Sequence, residues 1–167
     1  MKHNVLKKQP NSKMCLVCGL ENKLGLKASF YELDNNELVA LFKPLNEHQS
    51  YPERLHGGIS ATILDETIGR VIMIEEETIW GVTAELTLKF KKPVPLDQEL
   101  KVVAKLTRNT SRIFEGEGKL ILANGDVAVT AAGKYVKMPL DKIADVNDED
   151  LAWNTVLTEN DVSEIDY

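Results

Sequence analysis

The chain has 167 residues, enough for one domain with short extensions, and its 43% hydrophobic content supports a real core. Its net charge of −6 argues against nucleic acid as the main partner. No run of ~18 apolar residues suggests a membrane span. The opening Met1-Lys2-His3-Asn4-Val5-Leu6-Lys7-Lys8 lacks a signal peptide's apolar stretch, so a cytoplasmic protein is expected.

Residues 1–27 carry six Lys and one Glu, and residues 1–14 read as a polar arm. Cys15 and Cys18 form a C-x-x-C pair. A structural zinc usually takes four ligands, and the chain has no other cysteine, so His3 or His48 would have to fold back to help. Thioredoxin-type chemistry expects a helix after the motif, whereas Gly19 follows at once. Structural thiols in a loop are the preferred reading over metal binding or redox chemistry. No metal or other cofactor is expected.

Ala28–Asp34 and Glu37–Phe42 predict a hairpin across Asn35-Asn36. A long polar loop follows, from Pro44 to Leu55. A helix is predicted from Gly58 to about Ile74, because Leu64, Ile68, Val71 and Ile72 fall at i, i+4, i+7 and i+8. A neighbouring stripe holds Gly58, Thr62, Asp65, Gly69 and Ile72, mostly small residues with one acid. Such a stripe admits a ligand or a second backbone; it also serves plain helix–sheet packing.

From Trp80 the pattern is β. Val82, Ala84, Leu86, Leu88 and Phe90 alternate strictly and predict one apolar face, ended by Pro93 and Pro95. Glu99–Thr107 alternates likewise. Ile113–Leu122 and Val127–Val136 flank Asn124-Gly125, a strong hairpin signal. Residues 140–167 carry nine acidic residues and one Lys, with Leu140, Ile143, Leu151, Trp153 and Val156 suited to helical turns over the core. The basic and acidic ends are expected to be solvated, with their attraction screened by salt.

The stretch from Leu55 to Thr67 carries the chemistry. It joins His56-Gly57-Gly58 to an apolar helix with Asp65 in its middle. An ionisable group there costs free energy unless it is paired or used. The helix start offers free N–H groups that stabilise developing negative charge. An acid/base group beside an anion site points to reaction at a carbonyl. Glu66, ~100° away around the helix, is expected to be exposed or supporting.

Two strands, one long helix and four long strands make an α+β architecture, an antiparallel sheet wrapped around one central helix. This order, His56-Gly57-Gly58, and Asp65 nine positions after His56 resemble the hotdog-fold acyl-CoA thioesterases of the PaaI-like group. Thr83–Pro95 looks like that family's strand after the helix, and Cys15–Leu26 is similar to the opening of a subset of members. The resemblance covers about residues 15–138. The expected organisation is a basic N-terminal arm with the C-x-x-C over 1–27, a hotdog domain over 28–139 and an acidic tail over 140–167, with the basic arm and the acidic tail outside the resemblance.

The resemblance further implies hydrolysis of an acyl-CoA thioester at the interface of a homodimer or a dimer of dimers. Asp65 then activates water or attacks the carbonyl. Gly57 or Gly58 N–H polarises the thioester oxygen, His56 shapes the turn, and Thr83 helps hold the water. The family often has an amide side chain six residues before the His. Here that position is Ser50, with Gln49 beside it. Thr62 and Gly69 are expected along the substrate. Lys89, Lys91, Lys92, Arg108 and Arg112 are candidates for a basic rim facing CoA phosphates. A non-catalytic acyl-CoA sensor on the same fold is the alternative.

Spacing adds a separate argument. Asp65 lies eight residues beyond Gly57, roughly 12 Å along one helix at ~1.5 Å per residue. A base and an oxyanion donor must both reach one reacting group within ~3–4 Å. One helix cannot supply both, whereas antiparallel helices from two subunits can.

Overall fold

The alternating stretches pair into one antiparallel sheet in the order β4-β7-β6-β5-β3-β2-β1-β8. The structure is a computed structural model that describes residues 1–145 and 148–167. Its strands are β1 (Lys2–Lys8), β2 (Ser29–Leu33), β3 (Leu38–Phe42), β4 (Trp80–Phe90), β5 (Leu100–Asn109), β6 (Ile113–Ile121), β7 (Val127–Met138) and β8 (Glu164–Asp166). The helix α1 (Gly57–Arg70) lies across β3 to β7, which is the hotdog arrangement. Two short helices, α2 (Leu140–Ile143) and α3 (Asp148–Leu151), follow β7.

The apolar stripe of α1 is the centre of the core. Ile63, Leu64 and Ile68 are fully buried among Phe30, Phe114, Leu120 and Val129. Each such side chain contributes about 1.5–3 kcal/mol of burial. The helix approaches the sheet closely because two strand positions lack side chains. A Cβ on Gly116 would stand 2.8 Å from Ile68 Cγ2, and one on Gly118 would stand 3.1 Å from Ile68 Cγ1. The predicted helix over 58–74 ends as an α-helix at Arg70; Val71–Ile74 tighten into a 3-10 turn.

Three expectations are corrected. Residues 1–14 are not a free polar arm, since Lys2–Lys8 pairs with β2 on one side and β8 on the other. The acidic end is not simply solvated either. Lys2 meets Glu164 at 3.1 Å, and Lys8 Nζ, buried, meets Asp161 Oδ1 at 2.5 Å. Pattern reading missed β1 and the edge strand β8 because backbone pairing across the whole chain holds them, with little apolar alternation to reveal it.

The third correction is in β4. Strict alternation from Val82 to Phe90 fails at a bulge: Thr83 pairs with Tyr135 and Glu85 with Lys134, and Ala84 has no partner. An extra residue shifts the phase of every side chain before it. Gly81 and Thr83 therefore face α1, with Leu86 and Leu88 taking over beyond the bulge.

Candidate active site

The helix start is built by two histidines. His48 is buried; its Nδ1 accepts from Leu45 N at 2.9 Å, and its Nε2 donates to Leu24 O at 2.7 Å. Its carbonyl receives His56 N at 2.9 Å, which fixes the chain as it enters the helix. With both ring nitrogens engaged, His48 is a structural residue rather than a metal ligand. His56 is the N-cap, and its Nδ1 accepts from Gly58 N at 2.8 Å.

This cap separates the two glycines. The Gly58 amide is engaged by the His56 ring as its capping partner. The Gly57 amide has no acceptor among the described residues. A helix-start N–H without a partner is the group an anion would meet. Around it lies a cleft of about 380 Å³ lined by Ser50, Arg54, Gly57, Phe90, Lys91 and Lys92, among others. Phe90 is largely exposed there.

Asp65 sits two turns further along, half-buried. Two hydroxyls grip one of its oxygens: Thr83 Oγ1 donates to Oδ1 at 2.9 Å, and Tyr135 Oη donates to Oδ1 at 3.0 Å. Oδ2 has no hydrogen-bond donor among the described residues. Arg70, the cation one turn along the helix, is held by Glu66 at 2.8 Å rather than by Asp65. Asp65 thus has one carboxyl oxygen anchored and the other open. It lines a cavity of about 160 Å³ with Gly69, Met73, Trp80, Thr83 and Tyr135.

Tyr135 is the residue that motif reading missed. It is buried, and burial followed by the nearby Asp65 charge pushes its hydroxyl far above the usual tyrosine range. It therefore stays protonated and acts only as a donor. Its signal was the strand register, because Tyr135 stands directly opposite Thr83.

The remaining candidates divide between the two places. Ser50 lines the cleft at the helix start, whereas Gln49 Oε1 is engaged with Glu53 N at 3.1 Å. Thr62 Oγ1 is turned onto its own helix, donating to Gly58 O at 2.8 Å. Gly69 lines the Asp65 cavity. Of the basic candidates, Lys91 and Lys92 line the cleft; Lys92 also meets Asp126 at 2.7 Å, and Arg108 meets Glu115 at 3.4 Å. The candidates thus fall in two separate places along one helix, the Gly57 cleft and the Asp65 cavity.

The family model described as thioesterase superfamily matches residues 53–129, which span the helix start, Asp65, β4 to β6 and the first residues of β7. Over that segment the chain is similar to the thioesterase superfamily. Acyl-coenzyme A thioesterase THEM4 of Rattus norvegicus is 35% identical over 94 residues, covering 56% of this chain and 40% of that protein. Acyl-coenzyme A thioesterase 13 of Mus musculus is 24% identical over 101 residues, covering 60% of this chain and 66% of that protein. The chain spans about two fifths of the length of the THEM4 proteins it matches.

Among solved structures, a thioesterase superfamily protein superposes with a TM-score of 0.67 at 28% identity, covering 73% of this chain and 59% of that one. A hypothetical thioesterase from Streptococcus pneumoniae, solved with coenzyme A, has the same fold with a TM-score of 0.57 at 19% identity, over 62% of this chain and 82% of that one. No helix among the described residues is long and apolar enough to cross a membrane.

Proposed function

We propose that this protein hydrolyses an acyl-CoA thioester to the free acid and CoA, at sites assembled from two copies of the chain. The observation that carries the reading is the state of the two half-sites. Asp65 offers a carboxylate oxygen that no cation neutralises, and Gly57 offers an amide that nothing in the chain accepts. The names of the matched relatives supply the substrate class.

In this reading the thioester oxygen meets Gly57 N–H of one protomer, where loss of a single donor costs ~3 kcal/mol of barrier. Asp65 of the other protomer faces the carbonyl carbon. Its Oδ2 takes a proton from water, whose oxygen bonds to the carbon, or bonds to the carbon itself to give an anhydride that water then cleaves to the free acid. Thr83 and Tyr135 keep Oδ1 fixed, so the reactive oxygen has one orientation. The sulfur leaves as the CoA thiolate. Arg54 and Lys91 beside the Gly57 cleft put positive charge where a phosphorylated substrate would lie.

Assembly from two chains has independent support. The ~12 Å between Gly57 and Asp65 along one helix is too long for one reacting group. Strand β4, eleven residues long, ends the sheet with no neighbour on its outer side among the described residues. Such an edge invites pairing with a second copy.

The test uses a panel of acyl-CoA substrates with release of free thiol as readout. Asp65→Asn should lower the rate by ~10²–10⁴-fold. Gly57→Pro deletes the amide hydrogen at the first helical position, where proline is tolerated. Each variant alone should be nearly inactive. Reassembled one to one, they should recover about a quarter of wild-type activity, because half the dimers are mixed and each holds one intact site. No recovery would refute the two-chain site. Tight acyl-CoA binding without thiol release by the wild type would favour the non-catalytic reading instead.

A further inference from the structure

Cys15 and Cys18 have no part in that chemistry, yet their surroundings differ sharply. The turn that carries them closes through Gly19 N to Cys15 O at 2.8 Å. It swings two backbone N–H groups back onto Cys15 Sγ, from Val17 at 3.3 Å and from Cys18 at 3.5 Å. Donors aimed at a sulfur favour its thiolate. Cys15 is half-buried, within reach of solvent, whereas Cys18 is fully buried, with its sulfur 3.2 Å from Ser12 Oγ.

Glu66 completes a trio. The ligand-type atoms of Cys15, Cys18 and Glu66 lie within 4.8 Å of one another. Glu66, however, already holds the Arg70 guanidinium at 2.8 Å. Only two thiols remain, short of the four donors a structural zinc takes. Arg70 itself is buried with Nη2 unpartnered, and its charge bears on the sheltered Cys18 sulfur, where it only partly offsets the burial that raises that thiol. What the turn holds is an accessible nucleophilic sulfur beside a sheltered one.

We propose that Cys15 and Cys18 form an oxidation site, in which Cys15 attacks a hydroperoxide and Cys18 closes the product to a disulfide. In the first step Cys15 sulfur bonds to one peroxide oxygen and the O–O bond breaks. With hydrogen peroxide the leaving hydroxide takes a proton and departs as water, leaving a sulfenic acid. In the second step Cys18 gives up its proton and its sulfur attacks Cys15 sulfur. The S–O bond breaks, the S–S bond forms, and a second water leaves. The two thiols lose two electrons and the peroxide gains them.

The acidities fit this division. The Cys18 S–H contact, above all, holds the Cys15 thiol down at about 6, against the opposing pull of burial and of the Glu66 charge. The same contact, with burial, pushes the Cys18 thiol up. At neutral pH Cys15 is the attacking partner.

The test follows both cysteines by peptide mapping of the full-length wild-type protein. Alkylation of Cys15 by iodoacetamide should reach half its maximal rate near pH 6, with Cys18 unmodified across that range. Graded hydrogen peroxide should convert the pair to a reducible disulfide, with both thiols lost together. In Cys18→Ser the reaction should stop at a sulfenic acid that dimedone traps, a product that oxidation of the exposed Met14 cannot give. Equal alkylation of the two cysteines would overturn the proposal. So would a Cys15 no more reactive to peroxide than free glutathione, or tightly held zinc that must be removed before either thiol reacts. The wild-type mapping decides the question even if the variant fails to fold.

Discussion

Thr83 and Tyr135 face each other across the β4–β7 ladder, and both hydroxyls land on the same oxygen of Asp65. Thr83 faces inward only because of the bulge that follows it. The pair therefore acts as a two-point clamp on one carboxylate, set by strand register rather than by neighbours on the helix.

Tyr135→Phe removes one arm of the clamp and keeps the ring, which stacks on Phe114 at 5.0 Å. Loss of a hydrogen bond to a charged group costs about 1.5–3 kcal/mol. With Asp65 acting as base or nucleophile, kcat/KM for acyl-CoA should fall ~10–100-fold with a near-wild-type melting temperature. Gly133→Ala attacks the same contact from behind. Its Cβ would stand 2.7 Å from the Tyr135 hydroxyl and 2.5 Å from ring Cε2, so the ring must move. Steady-state kinetics should show a loss at least as large, and unchanged kinetics would remove Tyr135 from the site.

His56→Ala removes the helix cap. Losing an N-cap acceptor costs about 1 kcal/mol, read as a lower midpoint in urea denaturation. It also frees the Gly58 amide that the ring now holds. His56→Asn should restore most of the stability, because an Asn side chain caps as well.

Arg70 is a buried cation flanked by rings, 4.1 Å from the Phe30 centroid and 4.6 Å from that of Trp153. It also donates to Pro10 O at 2.8 Å. Arg70→Ala leaves Glu66 half-buried without its partner and should destabilise by ~3–5 kcal/mol in equilibrium unfolding. Lysine should not rescue it, because an ammonium lacks the planar face that the rings cover.

The clasp between the chain's two ends should weaken in acid. Burial raises the Asp161 carboxyl, but Lys8, Thr158 N–H and the Tyr31 hydroxyl outweigh it and hold it down at about 2, from 3.8. A depressed folded-state pKa stabilises the fold above the unfolded value, and the gain is lost as pH falls from about 4 toward 2. With screening, the contribution is on the order of 1 kcal/mol. Asp161→Asn should flatten that part of the stability-versus-pH curve, measured by chemical denaturation at each pH.

The core of the fold was legible because α1 and strands β5 to β7 write their burial into apolar spacing. The Leu64–Ile68–Ile72 stripe and the Asn124-Gly125 turn are local signals, and the structure has them where they were read. Lys2–Lys8 was illegible because its partner, Glu164–Asp166, lies at the other end of the chain. Asp65 and Thr83 were readable from type and spacing, but the means by which they meet was not. A one-residue bulge leaves almost no trace in composition, and it decides which of Thr83 and Ala84 turns inward. Tyr135 was hidden for the same reason, as one aromatic among the alternating residues of a strand.

The bare positions on β6 and β7 set a limit on engineering. Gly116, Gly118 and Gly133 are natural targets for anyone who wants to stiffen the strands with larger residues. Methyl groups at 116 and 118 would press on Ile68 and lift the helix away from the sheet, and one at 133 would push the Tyr135 ring aside. Either change draws the Asp65 carboxylate away from its two hydroxyl anchors. At these three sites, larger side chains should cost stability and turnover together.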